Sequence, residues 1–404
     1  MIMLGEQFGP EFWDDPYATY AEMRREAPVR RVVTPDGLRV WVVSRYDDVR
    51  EVLTDPRLSK DAEAVGELFR RNTEAGRAPR TVGRKTAGHM LNSDPPAHTR
   101  LRNLVSKAFT PGRVTALLPR VEALSAALLD GLAGREEIDL VADYAFPLSI
   151  TVMCDLLGLP EGDQKAFGLW TRDYNATGTP ELASAAAGHI TTYLTDLIGT
   201  KRAHLGDDLL SALIEARDVD DRLSGEELVA MVFLLLSAGH ETTVNLLANG
   251  VRTLLVHPAE LTRLRADPAL LPAAVEEFLR YDGPVNLATY RRTTAPVTIA
   301  GVEIPAGELV LAGVASANRD PARFPAPDRL DLTRTPNRHL SFGAGIHYCL
   351  GAPLARQEAH IAFRDLLHRY THLEPAVPLS ELPYRRSLLM RGPDELPLRV
   401  REAA

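Results

Sequence analysis

The sequence predicts a mainly α-helical protein with small antiparallel β-sheets, folded as one unit of 404 residues. Three observations carry this expectation. The stretch LSGEELVAMVFLLLSAGHETTVNLLANGVRTLLVHP, beginning at Leu223, reads as one long buried helix that stops ahead of Pro258. Most of the chain between the DPPAHTRLR segment and about residue 280 also reads helical. Short alternating segments, typical of strands, appear near residue 40 and beyond residue 285.

Taken in order, LRVWVVSRY (Leu38–Tyr46) is β-branched and aromatic and predicts a strand, followed by a helix through DDVREVL. Asp61–Met90 is polar, holds four glycines and has no steady period, which predicts a long, mobile functional loop. The central helix opens with Ser224 and Glu227, an S-x-x-E capping box. At about 1.5 Å per residue it would be roughly 50 Å long and cross the whole molecule. Its middle, AGHETT (Ala238–Thr243), places a glycine and a carboxylate inside an otherwise apolar rod. A helix-interior glycine costs about 1 kcal/mol, and a buried carboxylate needs a partner. A local helix distortion with polar groups facing a cavity is therefore expected there. VTIAGVEIPAGELVLAGVA (Val297–Ala315) alternates and turns at Gly301 and Pro305–Gly307, predicting a small antiparallel sheet. The last helix is Ala352–Tyr370, with Leu354, Ile361, Phe363, Leu366 and Leu367 mainly on one face.

Composition narrows the function classes. A net charge of −8 argues against nucleic acid as the partner. No apolar run reaches the roughly 18 residues of a membrane span, and the acidic start MIMLGEQFGPEFWDDPY is no secretory leader. Two distant cysteines, Cys154 and Cys349, fit a reducing cytoplasm. HETTV (His240–Val244) lacks the second histidine of H-E-x-x-H, GAGIHY (Gly343–Tyr348) lacks the third glycine of G-x-G-x-x-G, and C-x-x-C and G-x-S-x-G do not occur.

The segment HLSFGAGIHYCLGAPLAR (His339–Arg356) raises the chemical question, because a core thiol, a nucleophile and a metal ligand compete for Cys349. Cys349 lies two residues before a helix start, where the dipole and free amide N–H groups favour a thiolate. Gly343, Gly345 and Gly351 would let the backbone pass closely beneath a flat macrocycle. A thiolate ligand pushes electron density onto a haem iron and promotes O–O cleavage. Cys154, in TVMCDLLGLP, reads as a small core residue.

Five segments then carry a resemblance. FGAGIHYCLG (Phe342–Gly351), AGHETT, EFLR (Glu277–Arg280), PDRLD (Pro327–Asp331) and DPPAHTRLR (Asp94–Arg102) follow the order of motifs in the cytochrome P-450 superfamily, the haem-thiolate monooxygenases. In detail the chain resembles actinobacterial members that tailor macrolides and other polyketides or hydroxylate steroid-like molecules. The resemblance implies one domain over 1–404 with the triangular-prism fold of that family. Its β-rich part (about 1–60 and 285–340) packs on a helix-rich part, and haem b lies between the central and last long helices. It implies Cys349 as the axial iron ligand, shielded by Phe342 and framed by Gly345. His98, Arg102, Arg291 and His347 would hold the haem propionates. Ala238 and Gly239 would leave room for O2, and Glu241 and Thr242 would deliver protons. Glu277, Arg280 and Arg329 would form a structural network behind the cysteine loop.

Substrate contacts are expected at Met90, Leu234, Ser237, Leu287, Leu388 and Leu389, within the 61–95 and 165–190 regions among others. The reaction implied is hydroxylation or epoxidation of a bulky, neutral, hydrophobic natural product, with a macrolide or polyketide of antibiotic biosynthesis foremost. A steroid or terpenoid substrate, peroxide-driven or radical-coupling chemistry, and a haem-binding sensor are the alternatives. Electrons would come from NAD(P)H through a ferredoxin and its reductase to a cytoplasmic monomer. An excess of arginine and histidine over acids between Arg338 and Tyr370 suggests an acidic redox partner docking there.

Overall fold

A computed structural model describes residues 8–77, 84–160, 162, 164–177, 179–218, 223–382 and 384–402. The first part holds β1 (Val29–Val33), β2 (Arg39–Val43), α1 (Tyr46–Thr54), β3 (Leu58–Ser59) and α2 (Ala62–Asn72). The helical part follows with α3 (Ala97–Ser106), α4 (Pro111–Asp130), β4 (Glu137–Asp139), α5 (Phe146–Leu157), α6 (Gln164–Asn175) and α7 (Pro180–Lys201). Then come α8 (Gly225–Val256), α9 (Leu271–Asp282), β5 (Arg291–Thr293), β6 (Val297–Ile299), β7 (Val302–Ile304) and β8 (Leu309–Ala312). The chain finishes with α10 (Ala352–Arg369), β9 (Tyr370–Pro375) and β10 (Pro397–Glu402).

Helix α8 is the axis of the molecule, with α5, α7, α9 and α10 packed around it. Its capping box is formed: Ser224 Oγ accepts the Glu227 N–H at 3.1 Å, and the Glu227 carboxylate accepts the Ser224 N–H at 2.8 Å. The expected distortion at its centre is absent, since α8 runs as unbroken α-helix from Gly225 to Val256. The hydroxyls of Thr242 and Thr243 instead donate to the carbonyls of Ala238 and Gly239, at 2.7 and 3.3 Å. The glycines serve close packing. A Cβ on Gly239 would stand 2.4 Å from Met153 Sδ of α5, and one on Gly250 would stand 2.4 Å from the Phe363 ring of α10. The irregular backbone lies elsewhere, in a π-helical turn at Leu140–Ala145 that leads into α5.

By length and composition, residues 140–157 and α8 do meet the test for a membrane span, against the sequence expectation; 67% and 72% of those stretches are buried inside the protein.

The strands form a five-stranded sheet in the order β1-β2-β8-β5-β3, a three-stranded sheet β4-β10-β9, and the hairpin β6-β7. Gly301 closes that hairpin with φ +79°. Strand β8 was expected to continue it. It leaves the hairpin instead and pairs with β2 in parallel, Val42 opposite Leu311, and with β5 antiparallel. All four residues of β8 are buried, which suits the centre of a sheet rather than an edge.

The segment read as a loop from Asp61 is largely helical. Asp61 caps α2 by accepting the Ala64 N–H at 2.8 Å, and Val65, Leu68 and Phe69 bury one face of it. Residues 84–87 are also helical, and residues 78–83 of that reading lie outside the described residues. The i, i+3, i+4 spacing of the three apolar residues was the available signal.

Candidate active site

Two adjoining cavities flank the centre of α8. One is a slot between α8 and the loop that leads into α10. Ala238, Gly239 and Thr243 line one wall of it, and Phe342, Cys349 and Gly351 the other. The second lies distal to it, under α2, the end of α6 and the 285–291 segment, with Val65, Phe69, Tyr174, Leu287 and Leu389 in its walls. Thr242, Leu234, Ala238, Phe342 and His347 open onto both.

The slot is built around Cys349. Its N–H donates to the Phe342 carbonyl at 2.8 Å, closing the loop on itself. Gly343 and Gly345 take φ of +71° and +70°, values that side chains rarely adopt. Gly351 sits at φ −80°, so its lack of a Cβ answers a different need: the space over it is open slot. The Cys349 side chain is exposed to the slot and enclosed by protein behind. Burial pushes its thiol up, while the N–H groups of Gly351 and Ala352 and the Arg102 and Arg356 charges pull the other way. The Arg356 guanidinium lies 4.4 Å from the Phe342 ring centroid and donates to Glu276 at 2.6 Å, which ties the loop to α9.

Positive groups gather where slot and distal cavity meet. His98 and His347 stack edge to face at 4.5 Å, and both ring nitrogens of His98 are buried without a partner. Arg102 donates to the Tyr348 carbonyl at 2.8 Å. Arg291 is 5% exposed, donates to the Leu58 and Leu53 carbonyls at 3.2 and 3.4 Å, and leaves Nε unpaired. Burial and the charges of Lys60 and Arg291 push His347 down to about 2. Lys60 was not singled out by sequence reasoning, because nothing local marks a lysine after a short strand as buried.

These residues fit haem. Unpaired buried donors face a flat slot in a region of excess positive charge, as two carboxylate arms require. A soft sulfur ligand stands on the opposite wall from α8.

Glu241 turns away from both cavities. Burial pushes its carboxyl up against the pull of Arg385, and it accepts from Arg385 Nη1 at 2.8 Å and Asn175 Nδ2 at 2.6 Å. The expectation of polar groups of AGHETT facing a cavity is met by Thr242 and Thr243 and not by Glu241. Successive helix residues differ by about 100° in direction, so Glu241 points to the side of α8 away from the cavities, toward Asn175 and Arg385.

Among the expected substrate contacts, Leu234, Ser237, Leu287 and Leu389 line the distal cavity, whereas Met90 opens on the slot. Leu388 is 2% exposed and packs into the core beneath the β-rich part, a correction of the sequence reading.

The network behind the loop also differs from expectation. Glu277 and Arg280 form a fully buried bidentate pair with both distances 2.8 Å. The second arginine on Glu277 is Arg334, whose Nε lies 3.2 Å from both carboxylate oxygens. Arg329 is exposed, and it joins only through its carbonyl, which accepts from Arg280 and Arg334 at 3.2 Å each. The turn at Pro327–Thr335 directs the later arginine inward. The arginine excess between Arg338 and Tyr370 is likewise reduced by folding: Arg356 pairs with Glu276, Arg364 with Glu122 and Arg369 with Asp130.

Known proteins share both the sequence and this architecture. The Cytochrome P450 family profile matches residues 263–396. Cytochrome P450 107B1 of Saccharopolyspora erythraea is 49% identical over 393 residues, covering 97% of this chain and 96% of the relative. The vitamin D(3) 25-hydroxylase of Pseudonocardia autotrophica is 46% identical, with coverage of 97% and 95%. The structure of the tirandamycin C-bound P450 monooxygenase TamI superposes with a TM-score of 0.91 at 44% identity, covering 97% of this chain and 98% of the other.

Proposed function

Because this chain belongs to the cytochrome P450 family, we propose that it inserts one oxygen atom of O2 into a bulky, oxygen-bearing natural product of the macrolide or polyketide kind. Membership makes it a haem monooxygenase that draws electrons from NAD(P)H through redox partners. We assign the partners as a ferredoxin and its reductase, and the enzyme as a single-domain monomer of the cytoplasm, a location supported by a chain with only two, widely separated cysteines.

Haem held through Cys349 would supply the oxygen-activating chemistry. His98, Arg102, Arg291 and His347 would bind its propionates, and Phe342 would keep water from the sulfur. Thr242 would pass protons at the cavity wall. Its hydroxyl hydrogen is held by the Ala238 carbonyl at 2.7 Å, leaving its oxygen to face both cavities. Glu241 would support that transfer from behind, its acidity set by the opposed effects of burial and Arg385.

One observation carries the choice of substrate class. Polar side chains are spread around the distal cavity, including His89, Asn92, Ser237 and Thr289. His89 Nδ1 is buried without a partner. A ligand with several ester, ketone and hydroxyl oxygens satisfies such groups, and a nearly pure hydrocarbon leaves them unpaired at about 1–3 kcal/mol each. A secosteroid is the second reading, favoured by the 46% identity to the vitamin D(3) hydroxylase. Titration of the ferric enzyme with a panel of macrolactones and with vitamin D3, read by the shift of the Soret band, tests the order. Tighter binding of vitamin D3 than of every macrolactone would reverse it.

With any accepted substrate, Thr242→Ala is expected to leave binding intact and to lower product formed per NAD(P)H consumed by about tenfold or more. Unchanged coupling would remove Thr242 from the proton route.

A further inference from the structure

Lys60 is an unusual residue for its surroundings. It is one of five lysines in the chain, at 60, 85, 107, 165 and 201, and it is 2% exposed. Its ammonium borders the distal cavity, whose described lining holds a second cation, Arg291, and no carboxylate. Its one hydrogen-bond partner among the described residues is the hydroxyl of Thr289.

The fold sets this juxtaposition. Strand β3 pairs antiparallel with β5, with Ser59 opposite Arg292, so the residue after β3 meets the segment just before β5. The nearby carboxylate, Asp94, is committed to other donors: it accepts the Ser59 hydroxyl at 2.5 Å and the Lys60 backbone N–H at 3.0 Å. The lysine side chain is thereby left to the cavity. Burying an ammonium without a direct ion pair costs several kcal/mol, and burial together with the Arg291 charge holds Lys60 well below its ordinary value, against the opposing pull of the Asp94 carboxylate.

We propose that Lys60 and Thr289 form a carboxylate-binding position on the wall of the distal cavity. The carboxylate has two sources: a propionate of the haem, or an acidic group on the substrate. The charge count favours the second. Arg102 and Arg291 already balance two propionates, and Lys60 is a third cation beyond them. The inference rests on reading the distal cavity as the substrate chamber, and it changes the expected substrate from neutral to acid-bearing.

The test uses the holoenzyme and its Lys60→Met and Lys60→Arg variants. Tetradecanoic acid and its methyl ester serve as probes, titrated by the Soret shift, and haem transfer to excess apomyoglobin is timed separately. If a substrate acid is bound, Lys60→Met loses the preference for acid over ester by at least about tenfold, with haem transfer unchanged. If a propionate is bound, Lys60→Met speeds haem transfer by a similar factor and leaves the preference alone. Lys60→Arg retains the wild-type behaviour in either case. A Lys60→Met enzyme that matches the wild type in both measurements overturns the proposal. Should neither probe perturb the wild-type spectrum, the reading of the chamber fails, and the haem-transfer rates alone decide for or against Lys60.

Discussion

Cys349→Ser is expected to abolish the red-shifted Soret band of the reduced, carbon-monoxide-bound enzyme while leaving the helical content intact. The loop that presents the sulfur is held by groups other than the sulfur. Its backbone closes through the Cys349 N–H and Phe342 carbonyl, and Arg356 ties it to Glu276. Serine keeps that geometry and removes the soft, electron-releasing donor. Turnover should fall by more than the roughly 10- to 100-fold that loss of a ligand's outer partner costs. The other cysteine cannot substitute, because Cys154 is buried in α5 within the helical core. A variant that kept the red-shifted band would show that the sulfur is not the ligand.

The second large effect concerns Glu277. Its carboxylate accepts from Arg280, Arg334, Asn337 and the Asp331 N–H, with its own side chain fully buried. Glu277→Ala strands two guanidinium groups, and breaking one partner of a buried pair costs about 3–5 kcal/mol. Against a total stability of about 5–15 kcal/mol this is a large share, so little folded, haem-loaded protein is expected. The discriminating comparison is between two arginines. Arg334→Ala removes a nearly buried guanidinium with side-chain exposure of 9% and should cost about 3 kcal/mol. Arg329→Ala trims an exposed side chain whose carbonyl does the bonding, and should stay within about 0.5 kcal/mol. Urea denaturation of the two variants checks this; a larger loss for Arg329→Ala than for Arg334→Ala would return Arg329 to the network in place of Arg334.

Much of the fold was readable because its signals are local. The Ser224–Glu227 box, the apolar run behind it and the stop at Pro258 all act within a turn or two of α8. The cysteine loop was readable for the same reason, since the glycines at 343 and 345, the cysteine and the helix start lie within ten residues. The α2 helix was missed where glycines and arginines masked a short apolar triplet. Strand β8 was assigned to the wrong neighbour because strand pairing depends on partners hundreds of residues away, here β2.

The sequence by itself determined the helical class, the central helix with its cap, and the glycine-flanked cysteine loop before the last long helix, all of which rest on residue types at short, fixed spacings. Tertiary structure alone decided which arginine reaches Glu277, that Glu241 answers to Arg385, and that Lys60 is sealed into the cavity wall. Each of those depends on a charged group meeting residues distant in sequence. Such contacts are set by the path of loops and by which groups lose water together, and neither quantity is written in any short stretch of the chain.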